Sequence, residues 1–244
     1  MIAENIHNVQ TVIAQACERA GRPVETVTLV AVCKTKPAQA VLDAYAAGVR
    51  HFGENRVEEA NPKIAAVNAA VDAAPVWHMI GHIQSRKARD VVAYEGERRF
   101  GLVHSVDDLP LAERFSRLVT ERMAEPLHWL AQVNVSGEAS KSGFEGSGWR
   151  DDRGKFGVLA EQIKTAAALP GLMLDGLMTM APIADEAEAV RPVFRELRLL
   201  RDALEQMLGI ALPELSMGMT DDYPVAIEEG ATLVRVGRAI FGER

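Results

Sequence analysis

Cysteine is scarce: Cys17 and Cys33 are the only two in the chain. Neither lies in a CxxC or other ligand-spaced pattern, so no zinc site is readable. Two thiols without a disulfide framework suit a reducing cytoplasm. Basic charge is also short. Lys and Arg total 27 against 34 Asp and Glu, a formal net charge of -7, with no basic block. That excludes a nucleic-acid surface built on clustered cations. No apolar run approaches the roughly 18 residues of a membrane span. The opening MIAENIHNVQ carries an early Glu and lacks the apolar core of a signal peptide. A GxGxxG fingerprint, a Walker A loop and a GxSxG elbow are all missing.

What is present is ordinary globular composition, 48% hydrophobic and 25% charged over 244 residues. A chain of this length buries a core without disulfides or metals. Eight short apolar runs punctuate it: 27–34, 49–55, 76–82, 100–106, 127–135, 172–180, 214–219 and 232–237. Several are almost continuously apolar, as strands buried on both faces are. Between them lie segments of helical period. The clearest runs from about Asp185 to Leu208, with Val190, Val193, Phe194, Leu197, Leu200, Leu204 and Met207 at spacings of three and four. Phe156, Leu159, Ala160, Ile163, Ala166 and Ala167 mark another. An extra helix precedes the first run, with Ile2, Ile6, Val9, Ile13, Ala16 and Cys17 on one face and Gly21-Arg22-Pro23 as its stop.

This alternation predicts an α/β chain folded as a single (β/α)8 TIM barrel with an extra N-terminal helix, one domain over residues 1–244. A doubly wound open sheet is the alternative, because alternation does not prove closure. Glu145–Gly154, rich in Gly and charge, is expected to be a long loop.

Barrel function sits at the carboxyl ends of the strands. Lys34 closes the apolar run VTLVAV, so its stem is expected in the barrel mouth. Burial lowers a lysine pKa, and a neutral amine condenses with an aldehyde. A lysine that merely snorkels to solvent is the competing reading. Lys36, in the Thr-Lys-Pro turn, is expected to be exposed. The last two runs offer an anion site: Ser216 has a hydroxyl, Gly218 and Gly237 allow close backbone approach, and Arg238 opens a short turn. Arg235 alternates with Val234 and Val236, so it points inward if they pack outward. There it needs an acceptor, either a cofactor ring nitrogen or a buried carboxylate. His78 and His82 are four apart on a strand, which is no helical metal pair, and a hydrogen-bonded core histidine is expected. Asp221 and Asp222 are expected to start a helix.

These residues also resemble a known family. VAVCKTKP ending at Pro37, FGENRVEEANPKI (52–64), WHMIGHIQSRK (77–87), QVNVSGEASKSGF (132–144), GLMTMAP (176–182) and LSMGMTDDYPVAIEEGATLVRVGRAIFG (215–242) resemble the pyridoxal phosphate homeostasis proteins. That family is similar to the barrel domain of alanine racemase. The resemblance implies pyridoxal 5'-phosphate (PLP) held as an aldimine on Lys34, with Asn55 near the ring. It implies Ser216, Gly237 and the backbone of Arg238 at the phosphate, Arg235 at the pyridine nitrogen, and Met217 and His78 lining the pocket. Position 238 is often Thr in the family and is Arg here, so the resemblance carries over the backbone donor and not a hydroxyl contact to phosphate. The Glu145–Gly154 loop is longer and more polar than the family pattern.

The resemblance implies a cytoplasmic, non-catalytic carrier in PLP homeostasis, with an amino-acid racemase as the alternative. Racemisation needs acid–base groups on both faces of the α-carbon. The chain's end at Arg244 is read as leaving no second domain to supply one. PLP-dependent apo-enzymes are expected partners, nucleic acid and membrane are not, and a monomer is the default.

Overall fold

Val30, Ala31 and Val32 are all buried although successive residues of a strand face opposite ways. Such a strand needs cover on both sides. In the computed structural model, which describes residues 1–93, 97, 99–122 and 125–243, it has that cover. β1 (Thr28–Val32) has the barrel interior on one face and helices on the other.

Each of the eight apolar runs holds one barrel strand. They are β1, β2 (His51–Glu54), β3 (Val76–Met79), β4 (Leu102–Val106), β5 (Leu127–Asn134), β7 (Leu172–Met178), β8 (Glu214–Ser216) and β9 (Leu233–Val236). Neighbours pair in parallel around the ring. The β4–β5 and β1–β9 pairings close it, which rules out the open sheet. The helices of the outer layer are α2 (Ala38–Ala46), α3 (Val57–Asn68), α4 (Ala88–Val92), α5 (Leu109–Arg122), α6 (Arg153–Ala167), α7 (Arg191–Leu208), α8 (Tyr223–Glu228) and α9 (Arg238–Phe241). The expected extra helix is α1 (Ile2–Arg19), buried through Ile6, Val9, Ile13, Ala16 and Cys17 and packed against α8 and α9. Asn5 Nδ2 donates to the Ile240 carbonyl at 2.9 Å and ties α1 to α9.

Two local expectations change. The helix expected from Asp185 begins as an α-helix only at Arg191, after a 3-10 turn over Ala187–Val190. Pro192 sits in the first turn, where its missing N–H costs nothing. The expected loop Glu145–Gly154 is bounded by structure on both sides. β6 (Phe144–Glu145) adds to β5 through Val133↔Phe144 and Asn134↔Glu145. Asp152 then caps α6 by accepting the N–H groups of Gly154 and Lys155. Gly143 makes the addition possible. Its φ is 140°, and a Cβ there would lie 2.8 Å from Asn134 N and Gln132 O.

The apolar layer between barrel and helices is extensive, with Phe52, Trp77, Trp129, Phe115 and Phe194 at its heart. The interior cluster is small: Val30, Leu102, Leu130, Met178 and Leu233, with Met180 against it. Polar residues share the interior with them, His78, His104, Ser216 and Arg235 all being buried. Among the described residues no helix is long and apolar enough to cross a membrane.

Candidate functional site

The strand register of β1 continues to Cys33, whose N–H donates to the Gly53 carbonyl at 3.0 Å. The Cys33 thiol lies outside the barrel, 3.1 Å from Glu54 Oε1. Strand parity therefore sets Lys34 on the interior side, with Val30 and Val32. Lys34 is half-buried. Lys36 N donates back to the Cys33 carbonyl at 3.1 Å, closing a tight turn around Lys34 and Thr35. Thr35 has φ of 64°, a left-handed conformation that β-branched residues rarely adopt, and it is the one such non-glycine among the described residues. Strain of this kind gathers at functional sites. Lys36 is not fully exposed as expected. It is partly buried, and its Nζ donates to the Glu243 carbonyl at 2.8 Å.

The turn rests on a buried ion pair that the sequence pattern does not reveal. Lys63, on α3, donates to Glu54 Oε1 at 2.6 Å and to the Cys33 carbonyl at 2.8 Å. Burial and the neighbouring Glu54 push the Cys33 thiol well up, so it stays protonated. Asn55 follows Glu54 at the rim, half-buried, and borders a cleft of about 430 Å³ shared with Arg56, Glu58, His82 and Lys87. Its backbone presses on Gly81, where a Cβ would lie 2.2 Å from the Asn55 carbonyl oxygen. His82 is exposed at the same rim and pairs with Asp107 at 3.0 Å.

Arg235 points inward as its alternation with Val234 and Val236 predicts, and it is 4% exposed. Its Nη1 donates to Ser216 Oγ at 2.6 Å and its Nη2 to the Thr179 carbonyl at 3.0 Å. Neither acceptor is charged, and among the described residues Arg235 forms no ion pair with a carboxylate. Burial lowers its pKa to about 10, with Asp222 opposing, so the guanidinium stays charged at neutral pH. The β1–β9 register pairs Arg235 with Val30, so Lys34 lies above it toward the rim.

Ser216 is fully buried, and its hydroxyl also meets His104 Nδ1 at 2.8 Å. His104 Nε2 meets His78 Nδ1 at 2.8 Å, and His78 Nε2 meets His51 Nδ1 at 2.9 Å. His78 is thus the hydrogen-bonded core histidine expected, but as the middle of a row of three. Burial drives all three imidazoles toward the neutral form, with His78 lowered to about 3. His51 and His104 do not stand out in the sequence. The polar residue inside FGLVHSV is the available signal for His104.

Met217 is buried in the layer between barrel and helices rather than in the interior, so its side chain does not line the mouth. Gly218 has φ of 90° and abuts α8, where a Cβ would lie 2.6 Å from Ala226 Cβ. Gly237 adjoins β1, and a Cβ there would lie 3.1 Å from the Val32 carbonyl oxygen. The Arg238 side chain is exposed and pairs with Asp221 at 2.6 Å, which commits its charge at the rim. Asp222 precedes α8 as expected, yet its carboxylate accepts the Met219 N–H at 2.6 Å instead of capping the helix.

Comparison with known proteins finds curated relatives of similar length. The family described as alanine racemase, N-terminal domain, matches residues 5–244. A pyridoxal phosphate homeostasis protein of Pseudomonas aeruginosa is 46% identical, covering 100% of this chain and 96% of that protein. One from Aquifex aeolicus is 38% identical, covering 99% and 97%. The solved structure of PipY from Synechococcus elongatus PCC7942 with PLP bound superposes with a TM-score of 0.80 at 34% identity, covering 99% of this chain and 100% of PipY. An alanine racemase from Clostridium difficile 630 superposes with a TM-score of 0.70 at 13% identity, a likeness of fold alone, with this chain covering 56% of it.

Proposed function

The chain belongs to the pyridoxal phosphate homeostasis protein family, and we propose on that premise that it holds PLP covalently on Lys34 and acts as a carrier without strong catalytic activity. The observation that carries this reading is Arg235. A buried, charged guanidinium that among the described residues is held by neutral acceptors has donors suited to a basic ring nitrogen. The interior-side amine of Lys34, the Ser216 hydroxyl and the close backbone approach at Gly237 fit the aldehyde and phosphate ends of the same molecule. Asn55 and the backbone of Arg238 complete the set, and His78 supports it from below.

When bound, PLP supplies an aldehyde that condenses reversibly with amines and a ring that withdraws electrons. Arg235 keeps its protons at neutral pH, so it would offer a ring nitrogen a hydrogen bond without protonating it. That makes the ring a weaker electron sink, which favours carriage over carbanion chemistry. Thr35 and Pro37 beside Lys34 are exposed, which suits exchange with solvent and with amines. The carrier reading places the protein in the cytoplasm, with PLP-dependent apo-enzymes as recipients and the single domain acting as a monomer. The two free, buried cysteines suit a reducing compartment.

Borohydride reduction followed by peptide mass spectrometry tests the assignment. The PLP mass should appear on the Lys34 peptide and vanish in Lys34→Ala but not in Lys36→Ala. The reverse pattern overturns the assignment of Lys34. Substantial racemisation of amino acids by the pure protein overturns the carrier reading.

A further inference from the structure

His51, His78 and His104 come from three neighbouring strands and run through the barrel interior to Ser216 as one unbroken row of hydrogen bonds. Each contact between two neutral imidazoles holds one proton. Two protons would clash, and none would set lone pair against lone pair. Both ring nitrogens of His78 and of His104 are engaged within the row. The proton on any one ring therefore dictates the next, and the neutral row has only two registers.

In the first register every histidine carries its proton on Nε2, and the Ser216 hydroxyl donates to His104 Nδ1. In the second every histidine carries its proton on Nδ1. His104 then donates to Ser216 Oγ, which already accepts from Arg235 at 2.6 Å. Both lone pairs of Oγ are filled, and its proton is free for an acceptor in the mouth. Ser216 is fully buried, and His104 Nδ1 is the one acceptor for its proton among the described residues. A buried hydroxyl proton without an acceptor is costly, so the empty protein takes the first register. An anion arriving at Ser216 supplies an acceptor and selects the second.

We propose that His51, His78 and His104 form a tautomer relay that sets the direction of the Ser216 hydroxyl, with His104 as the positioning residue, and that a phosphate bound at Ser216 reverses the whole row. The switch balances. Ser216 passes its proton to His104 Nδ1, His104 passes the Nε2 proton to His78 Nδ1, and His78 passes its Nε2 proton to His51 Nδ1. His51 releases one proton from Nε2 to solvent, and Ser216 takes one from solvent at the mouth. Net charge does not change. The low basicity of the buried rings supports a neutral row throughout. His51 lines a cleft of about 400 Å³ with Gln10, Thr28 and Arg50. The state of the phosphate site is thereby written onto the opposite face of the barrel, and coupling of this kind is reciprocal.

The phosphate half of this proposal rests on the reading of Ser216 as a PLP phosphate ligand. The test is long-range proton–nitrogen NMR on protein labelled with 15N-histidine, recorded empty, with inorganic phosphate and with PLP. The expected result is Nε2–H on all three histidines when empty and Nδ1–H on all three with PLP. Mixed tautomers, or a row unchanged in protein carrying the PLP mass on Lys34, overturn the relay. A concerted row that reverses with inorganic phosphate, in protein that takes up no PLP, overturns the PLP reading and leaves the relay standing. Two variants separate positioning from packing. His104→Asn keeps an amide donor where Nδ1 sits, and His104→Gln moves it to the Nε2 side. PLP should dissociate about tenfold faster from His104→Gln than from His104→Asn, the equivalent of one net hydrogen bond. Equal rates would assign His104 a packing role only.

Discussion

Lys63 reaches Glu54 at 2.6 Å and, with the same ammonium, the carbonyl of the residue preceding Lys34 at 2.8 Å. The Glu54 side chain is 0% exposed and that of Lys63 9%. Removing one partner strands the other as a buried charge. Lys63→Met should therefore destabilise the protein by about 3–5 kcal/mol. Glu54→Gln combined with Lys63→Met should recover much of that loss. Denaturant unfolding of the two single variants and the pair measures it, and additive losses would mean the residues do not act as a unit.

Thr35 holds the turn beside Lys34 in the left-handed region. For a residue with a Cβ that conformation costs about 1–2 kcal/mol. Thr35→Gly relieves it but adds about 0.4–1 kcal/mol of unfolded-state entropy. The expected net is a gain of about 0–1.6 kcal/mol in thermal unfolding. A freer turn should also loosen Lys34, so PLP should leave about three- to tenfold faster, as preorganisation is lost. Higher stability with unchanged release would mean the strain has no part in binding.

The buried histidines make stability depend on acid. A histidine whose pKa is depressed in the folded state binds its proton more readily when unfolded. Its contribution is complete above the unfolded value near 6.5 and is lost as pH falls toward the folded value, about 3 for His78. Each such group costs about 1.4 kcal/mol per pH unit within that window. His51 and His104 are shifted in the same direction and steepen the loss. Urea unfolding between pH 7 and pH 4 should show a fall steeper than one proton. A slope of one proton or less would mean that the rings gain protons without unfolding.

Gly81→Ala drives a Cβ into the Asn55 backbone, with contacts at 2.2, 2.7 and 2.8 Å. Backbone atoms do not yield cheaply, so a loss of about 1–3 kcal/mol and weaker PLP retention are expected. Gly157→Ala is the control. It lies within α6, where an added methyl would meet nothing within 4 Å, and it should stabilise by about 0.5–1 kcal/mol. Similar unfolding curves for the two variants would refute the close approach at Gly81.

Patterns along a single strand are legible in the sequence. The near-continuous apolar runs locate the eight barrel strands, and the Val234–Arg235–Val236 alternation aims the guanidinium inward. Relations across strands are not. The row of histidines joins residues 51, 78 and 104, and nothing local in the sequence encodes the lateral register that stacks them. Lys63 lies on a helix nine residues past its partner, where a charged residue looks solvated. Met217 is assigned to the mouth by resemblance alone, whereas parity with the inward Ser216 turns its side chain outward. β6 escapes the sequence pattern because its pairing depends on Gly143 passing close to β5, a matter of backbone approach rather than of hydrophobic period.

Barrel interiors are commonly filled with layers of bulky branched side chains. Here Val30, Leu102, Leu130, Met178 and Leu233 form a small apolar plug, and three imidazoles and a guanidinium occupy positions around it. For protein engineering this divides the molecule. The helical shell and its outer packing layer are open to consensus, capping and cavity-filling changes. The lumen is closed to repacking, since apolar replacement there would raise rigidity and erase the ligand-facing chemistry together.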